Sequence, residues 1–181
     1  MENQESPFKA GLNLGLILGI ISIVIVYLVY FFAPESMVSW QVSLAILVIY
    51  IGGIIYFGLQ YRASIGGFMT FGYAFNYSFI AMATGLLLTV CGNLLLYYVI
   101  DPSLPGVLIE RQFEIQMAML EQFGAADAMT SEQMDEMRKA NAEGFTVFGQ
   151  LKGFGVILIF YAIVALILGA ILKKRDKSLD Y

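Results

Sequence analysis

Four runs of the chain, at residues 10–32, 38–59, 79–100 and 153–172, contain no Asp, Glu, Lys or Arg. Each is long enough to cross a hydrocarbon core of about 30 Å as a helix, which takes roughly 20 apolar residues. The pattern predicts an all-α membrane protein with four transmembrane helices in one domain, residues 1–181. The first run exceeds the roughly 7–15 apolar residues of a signal-peptide core, and no small-residue cleavage pattern follows it, so it is expected to stay as a span. Between the first two runs, Ala33, Pro34, Glu35, Ser36 and Met37 read as a tight turn with a proline stop.

Two segments between the runs carry their own periodicity. Aromatics at Phe71, Tyr73, Phe75, Tyr77 and Phe79 alternate with small or polar residues, which is strand spacing. An open strand edge in lipid would strand its backbone polar groups, so the segment is expected to be an interfacial lead-in to the third helix. Gly66 and Gly67 would make the turn before it and Thr70 would cap it; a re-entrant loop lining a site is the functional alternative. In residues 101–152, Ile109, Phe113, Met117 and Leu120 recur at helical spacing. Gly124 breaks that pattern, Thr130 and Gln133 have capping-box spacing, and Met134, Met137 and Asn141 share a face beyond them. The expectation is an acidic helical hairpin between the third and fourth helices. It would be either a solvated cap on the bundle or an interaction face built from Ile109, Phe113, Met117, Leu120, Met134 and Met137.

Small residues recur inside the spans: Gly11, Gly15 and Gly19 in the first, Ala81, Gly85, Thr89 and Asn93 in the third, Ala165 and Gly169 in the fourth. In lipid such rows let helix backbones approach closely. They are expected to serve packing within the bundle, with a seam between two copies as the alternative.

Composition sharpens this picture. Apolar residues make up 59% of the chain and charged ones 13%, against about 45–50% and 25% in soluble domains. Lys9, Arg62, Lys173, Lys174, Arg175 and Lys177 fall on one side of the spans, close to their ends, whereas Arg111, Arg138, Lys139 and Lys152 are spread through the long third loop. By the positive-inside rule both termini are expected in the cytoplasm and the 101–152 segment outside. That segment and the first turn together hold ten acids against four bases, so the outer side carries −6 and the inner side +2 of the net −4.

The chemistry is marked by what is missing. With no histidine and a single cysteine, Cys91, the sequence offers no His-based triad, zinc site, redox pair or disulfide. No ionisable acid or base lies in the four runs, which weighs against pumps and proton-coupled carriers. Asn13, Asn76, Asn93, Thr84 and Thr89 are expected to be hydrogen-bonding glue between helices, though they could line a path for a neutral solute. Met117, Met119, Met129, Met134 and Met137 concentrate in the long loop, where flexible thioethers suit contact with a partner or lipid better than a copper site lacking Cys and His. No phosphate loop, dinucleotide fingerprint, calcium loop or basic nucleic-acid patch is present, and no catalytic residue, metal or cofactor is expected.

The Gly-rich start of the first span, the block Gly67, Phe68, Phe71, Gly72, Ala74 and Phe75, the Asp101 and Pro102 that close the third span, and the ending from Leu168 to Lys174 resemble a bacterial family known only as a four-span membrane domain of unknown function. The resemblance implies an inner-membrane protein and supplies no activity. The expectation is a non-enzymatic accessory or interaction protein, with the bilayer, a second copy, or a periplasmic or membrane protein as partners and no nucleic acid. A small oligomeric channel or carrier for neutral solutes is the alternative.

Overall fold

The computed structural model describes residues 6–175; Lys177, one of the bases used to orient the chain, lies outside them. Among the described residues six α-helices follow one another: α1 Pro7–Phe32, α2 Trp40–Ser64, α3 Phe71–Leu95, α4 Leu104–Gln122, α5 Ser131–Phe145 and α6 Val147–Leu172. Among the described residues α1, α2, α3 with its extension to Ile100, and α6 are long and apolar enough to cross a membrane, the architecture of a multi-pass membrane protein.

The helix ends follow local chemistry. Ser6 caps α1 by accepting from the Lys9 N–H at 3.3 Å, with Pro7 in the first turn where its missing N–H costs nothing. A short 3-10 turn, Pro34–Val38, reverses the chain into α2. Gly66 and Gly67, at φ of 100° and 83°, make a turn other residues would strain to adopt. Thr70 then caps α3, accepting from the Tyr73 N–H at 3.3 Å. The third span therefore begins at Phe71 rather than at 79, and the alternating aromatics lie on its helix: Ala74, Tyr77 and Ser78 are buried, while Phe71 and Tyr73 are exposed. A turn at the bundle's end, not a re-entrant loop, precedes it. At its far end α3 passes into a π-helical turn, Leu96–Ile100, closed by the Asp101 N–H donating to the Leu96 carbonyl at 2.8 Å.

The most extensive contact in the molecule joins α1 to α3. A Cβ added to Gly11 would stand 2.6 Å from the Tyr77 carbonyl oxygen, one on Gly15 2.6 Å from that of Ala81, and one on Gly19 2.9 Å from Leu88 Cβ. The two backbones touch along three turns because these positions carry no side chain. Farther along, Gly92 meets Ile23 in the same way and accepts a 2.9 Å hydrogen bond from the Tyr27 hydroxyl, with Asn93 half-buried beside it. On another side of α3, Gly169 of α6 lies against Phe71 and the Phe75 backbone, and Ala165 is buried.

The second helix is held by its later half. Tyr50, Ile54, Gly58 and Tyr61 are its buried residues, whereas none from Trp40 to Ile49 is buried. Tyr61 stacks on Tyr77 of α3 with ring centroids 5.3 Å apart, and the Arg62 guanidinium donates to the Leu172 carbonyl at 2.9 Å. That bond satisfies one of the carbonyls left open at the end of α6 and places a cation there, where the helix dipole favours it. Met69 and Lys174 exchange backbone hydrogen bonds of 3.0 and 2.8 Å, clipping the α2–α3 turn to the chain leaving α6.

Replacing Gly15 by Leu is expected to destabilise the bundle by about 1–3 kcal/mol through overpacking. The change Ile17→Leu, on the exposed face of the same helix, should be tolerated. Thermal unfolding of both variants in detergent is the check, and equal midpoints would contradict the packing described.

Candidate functional site

The polar chemistry outside the spans gathers at the end of the bundle that carries α4 and α5. The two feet of this insert are apolar. Leu104 and Leu108 of α4 and Phe145 of α5 are buried with Leu96 and Tyr97, and Val26, Tyr27, Tyr30, Met37 and Val38 pack around them. Tyr97 meets Phe145 edge-on at 5.4 Å. Above the feet, Asp101 accepts from the Ser103 N–H and hydroxyl and, at 3.1 Å, from the Tyr30 hydroxyl of α1. The Ser103 hydroxyl, more than any other group, holds the Asp101 carboxyl below its usual range, against an opposing effect of desolvation.

Contact between α4 and α5 is largely polar. Gln116 and Asn141 exchange side-chain hydrogen bonds of 3.1 and 3.2 Å. The Arg138 guanidinium lies 3.9 Å over the Phe113 ring, with Glu110 at 3.5 Å and Asp135 at 3.9 Å. Thr130 and Gln133 complete a reciprocal capping box at the start of α5.

The apolar residues singled out by spacing are turned toward the molecule. Ile109 packs on the cluster at the feet and Phe113 is buried under Arg138, while Met117, Leu120, Met134 and Met137 are half-buried. Large apolar side chains exposed on α4 and the turn after it are Val107, Met119 and, at 80% exposure, Phe123 beside Gly124. None of these stood out from the periodicity, because each falls off the stripe that defines the helix face.

Where α4 passes the 3-10 turn and the start of α2, a cleft of about 450 Å³ opens, lined by Glu35, Ser36, Ser39, Gln41, Val42, Arg111 and Ile115. Sequence spacing could not assemble it, since its two charged residues come from separate elements. Glu35 makes no ion pair among the described residues. Among the described residues Arg111 pairs with its helix neighbour Glu114, at 2.8 Å on the surface. Among the described residues no group of three or more His, Cys, Asp or Glu is placed to hold a metal ion.

The lowered Asp101 pKa has a consequence for stability. A group ionising more readily when folded adds stability above its unfolded pKa, near the ordinary 3.8, and loses it as pH falls through the lower folded value. Wild type should therefore be more heat-stable than Asp101→Asn at pH 5, with the margin shrinking below about pH 4. Melting curves of the two across that range test it, and a constant margin would contradict it.

Neither a search of curated proteins nor one of solved structures finds a match. A family model does match, over residues 13–174, and its description is "protein of unknown function (DUF4199)". That match spans Gly15 and Gly19 of the glycine seam, the cleft and both helices of the insert, so the chain belongs to the DUF4199 family.

Proposed function

We propose that this is a multi-pass protein of the bacterial inner membrane, with both termini in the cytoplasm, acting as a non-enzymatic interaction protein through its α4–α5 insert. The observation that carries the reading is the pairing of a fixed base with an exposed apolar tip. The feet are buried against α1 and α3, while Met119 and Phe123 stand exposed among acids. An aromatic held in water on a structured insert suits insertion into a partner's pocket. The orientation is supported by the grouping of Arg62 and Lys174 at the end of the bundle opposite the insert, where Lys174 also lies 5.6 Å from the Phe68 ring. The solute-path alternative gains less support. The hydroxyls of Ser22 and Thr89 donate to the Leu18 and Gly85 carbonyls of their own helices, each at 2.9 Å, rather than standing free along a path.

Two measurements test the parts separately. In a Cys91→Ser background, an impermeant thiol reagent on intact cells should label cysteines placed at Ser103 and Ala126 and spare Lys173→Cys; the reverse pattern would overturn the orientation. A photo-crosslinking residue at Phe123 should trap one protein of defined mass in native membranes, whereas the same residue at Glu132 should not. Identical crosslinks from both sites, or none from Phe123, would overturn the interaction reading.

A further inference from the structure

The cleft beside α2 carries a second inference, independent of any protein partner. We infer that it binds the headgroup of a zwitterionic phospholipid bearing a primary ammonium, of the phosphoethanolamine class, with the acyl chains running down the open half of α2.

Four observations support this. The cleft presents one acid and one base from different elements, Glu35 from the 3-10 turn and Arg111 from α4, and among the described residues they are not paired with each other. Its volume, about 450 Å³, falls in the range of small-ligand clefts. The hydroxyls and amide of Ser36, Ser39 and Gln41 line it, and Ser39, the residue preceding α2, makes no side-chain cap, leaving first-turn N–H groups open to an acceptor. Exposed Phe31, Phe32 and Trp40 flank the turn, as aromatics do at the depth of lipid headgroups.

The apolar part of the cleft continues in the right direction. Val42 lines it together with Ile115, and Val42, Ile46, Ile49 and Gly53 share one face of α2 by helical spacing. Gly53 is pressed against Leu18, whereas no residue from Trp40 to Ile49 is buried. The helix is thus buried in its later half, while in its earlier half, beneath the cleft, Ile46 and Ile49 pack only partly against the core and Trp40, Leu44 and Val48 stay exposed.

These features discriminate among lipids. A phosphate accepts from the Arg111 fork, which retains donors beyond the one given to Glu114. A primary ammonium donates to Glu35 and the serine hydroxyls, but a quaternary one has no N–H to give. An anionic headgroup without an ammonium leaves Glu35 repelled rather than matched. The expected order is phosphatidylethanolamine, then phosphatidylcholine, then phosphatidylglycerol.

Native mass spectrometry of the detergent-solubilised full chain, titrated with each of the three lipids, tests the assignment. Wild type should retain one phosphatidylethanolamine about fivefold more strongly than phosphatidylglycerol, the scale of one exposed charge pair. Glu35→Gln should remove that preference while keeping phosphatidylglycerol binding, and Arg111→Gln should weaken both. Both side chains are at the surface, and an unchanged circular dichroism melt would show that the fold is intact. Equal retention of the three lipids by wild type, or undiminished retention of both lipids by Arg111→Gln, would overturn the proposal. So would a melting shift with inorganic phosphate alone as large as that with lipid, which would mark a site for a free anion.

Discussion

Inside hydrocarbon, two helix backbones can touch only where no side chain stands between them, and the rest of this fold depends on one such place. Lipid is as apolar as leucine, so burying leucine there gains little, and association rests on close van der Waals contact and on hydrogen bonds. Gly11, Gly15 and Gly19 bring α1 within contact of the Tyr77 and Ala81 carbonyls and of Gly85. With α1 and α3 locked, the opposite sides of α3 become a platform: Phe71 and Phe75 receive Gly169 of α6, and Tyr77 receives Tyr61 of α2. The remaining apolar surface, Ile20, Val24 and Leu28 on α1 or Ile159, Ile163 and Ile167 on α6, stays exposed because lipid is its solvent.

The two ends of the bundle are finished by different chemistry, and the difference bears on function. At one end the satisfaction of backbone groups dominates: Arg62 on the Leu172 carbonyl and the Met69–Lys174 bridge tie turn, tail and two helices together. At the other, α3 does not stop but loosens into a π-helical turn, and Asp101 gathers Ser103 and Tyr30 around its carboxylate. Leu104, Leu108 and Phe145 then supply the water-driven apolar burial that the spans themselves do not use. The insert is accordingly anchored at its base and held together above by amides and ion pairs. The half of α2 beside it is only partly buried. An exposed aromatic tip and a charged cleft both sit on this end.

Much of this was legible in the chain. Charge-free runs gave the four spans, the spacing of Gly11, Gly15 and Gly19 pointed to a close helix contact, and Thr70, Thr130 and Gln133 announced the helix starts that they cap. Other features depend on which surfaces meet, and periodicity does not encode that. The alternating aromatics of α3 resemble a strand because aromatics sit on both its buried and its lipid-facing sides. Gly92 was hidden behind Asn93, since a row repeating every four residues drifts around a helix of 3.6 residues per turn. Arg138 over Phe113, and Glu35 facing one cleft with Arg111, join residues tens of positions apart, which spacing alone cannot pair.

The glycine seam can be measured directly. Solid-state NMR on protein in bilayers, labelled with ¹³C at glycine Cα and alanine carbonyl carbons, should show a Gly15–Ala81 dipolar contact under about 5 Å, whereas helices spaced by ordinary side chains lie about 8–10 Å apart. The contact should survive dilution with unlabelled protein, because it lies within one chain. Its absence, or its loss on dilution, would contradict the account, the second result placing the seam between two copies.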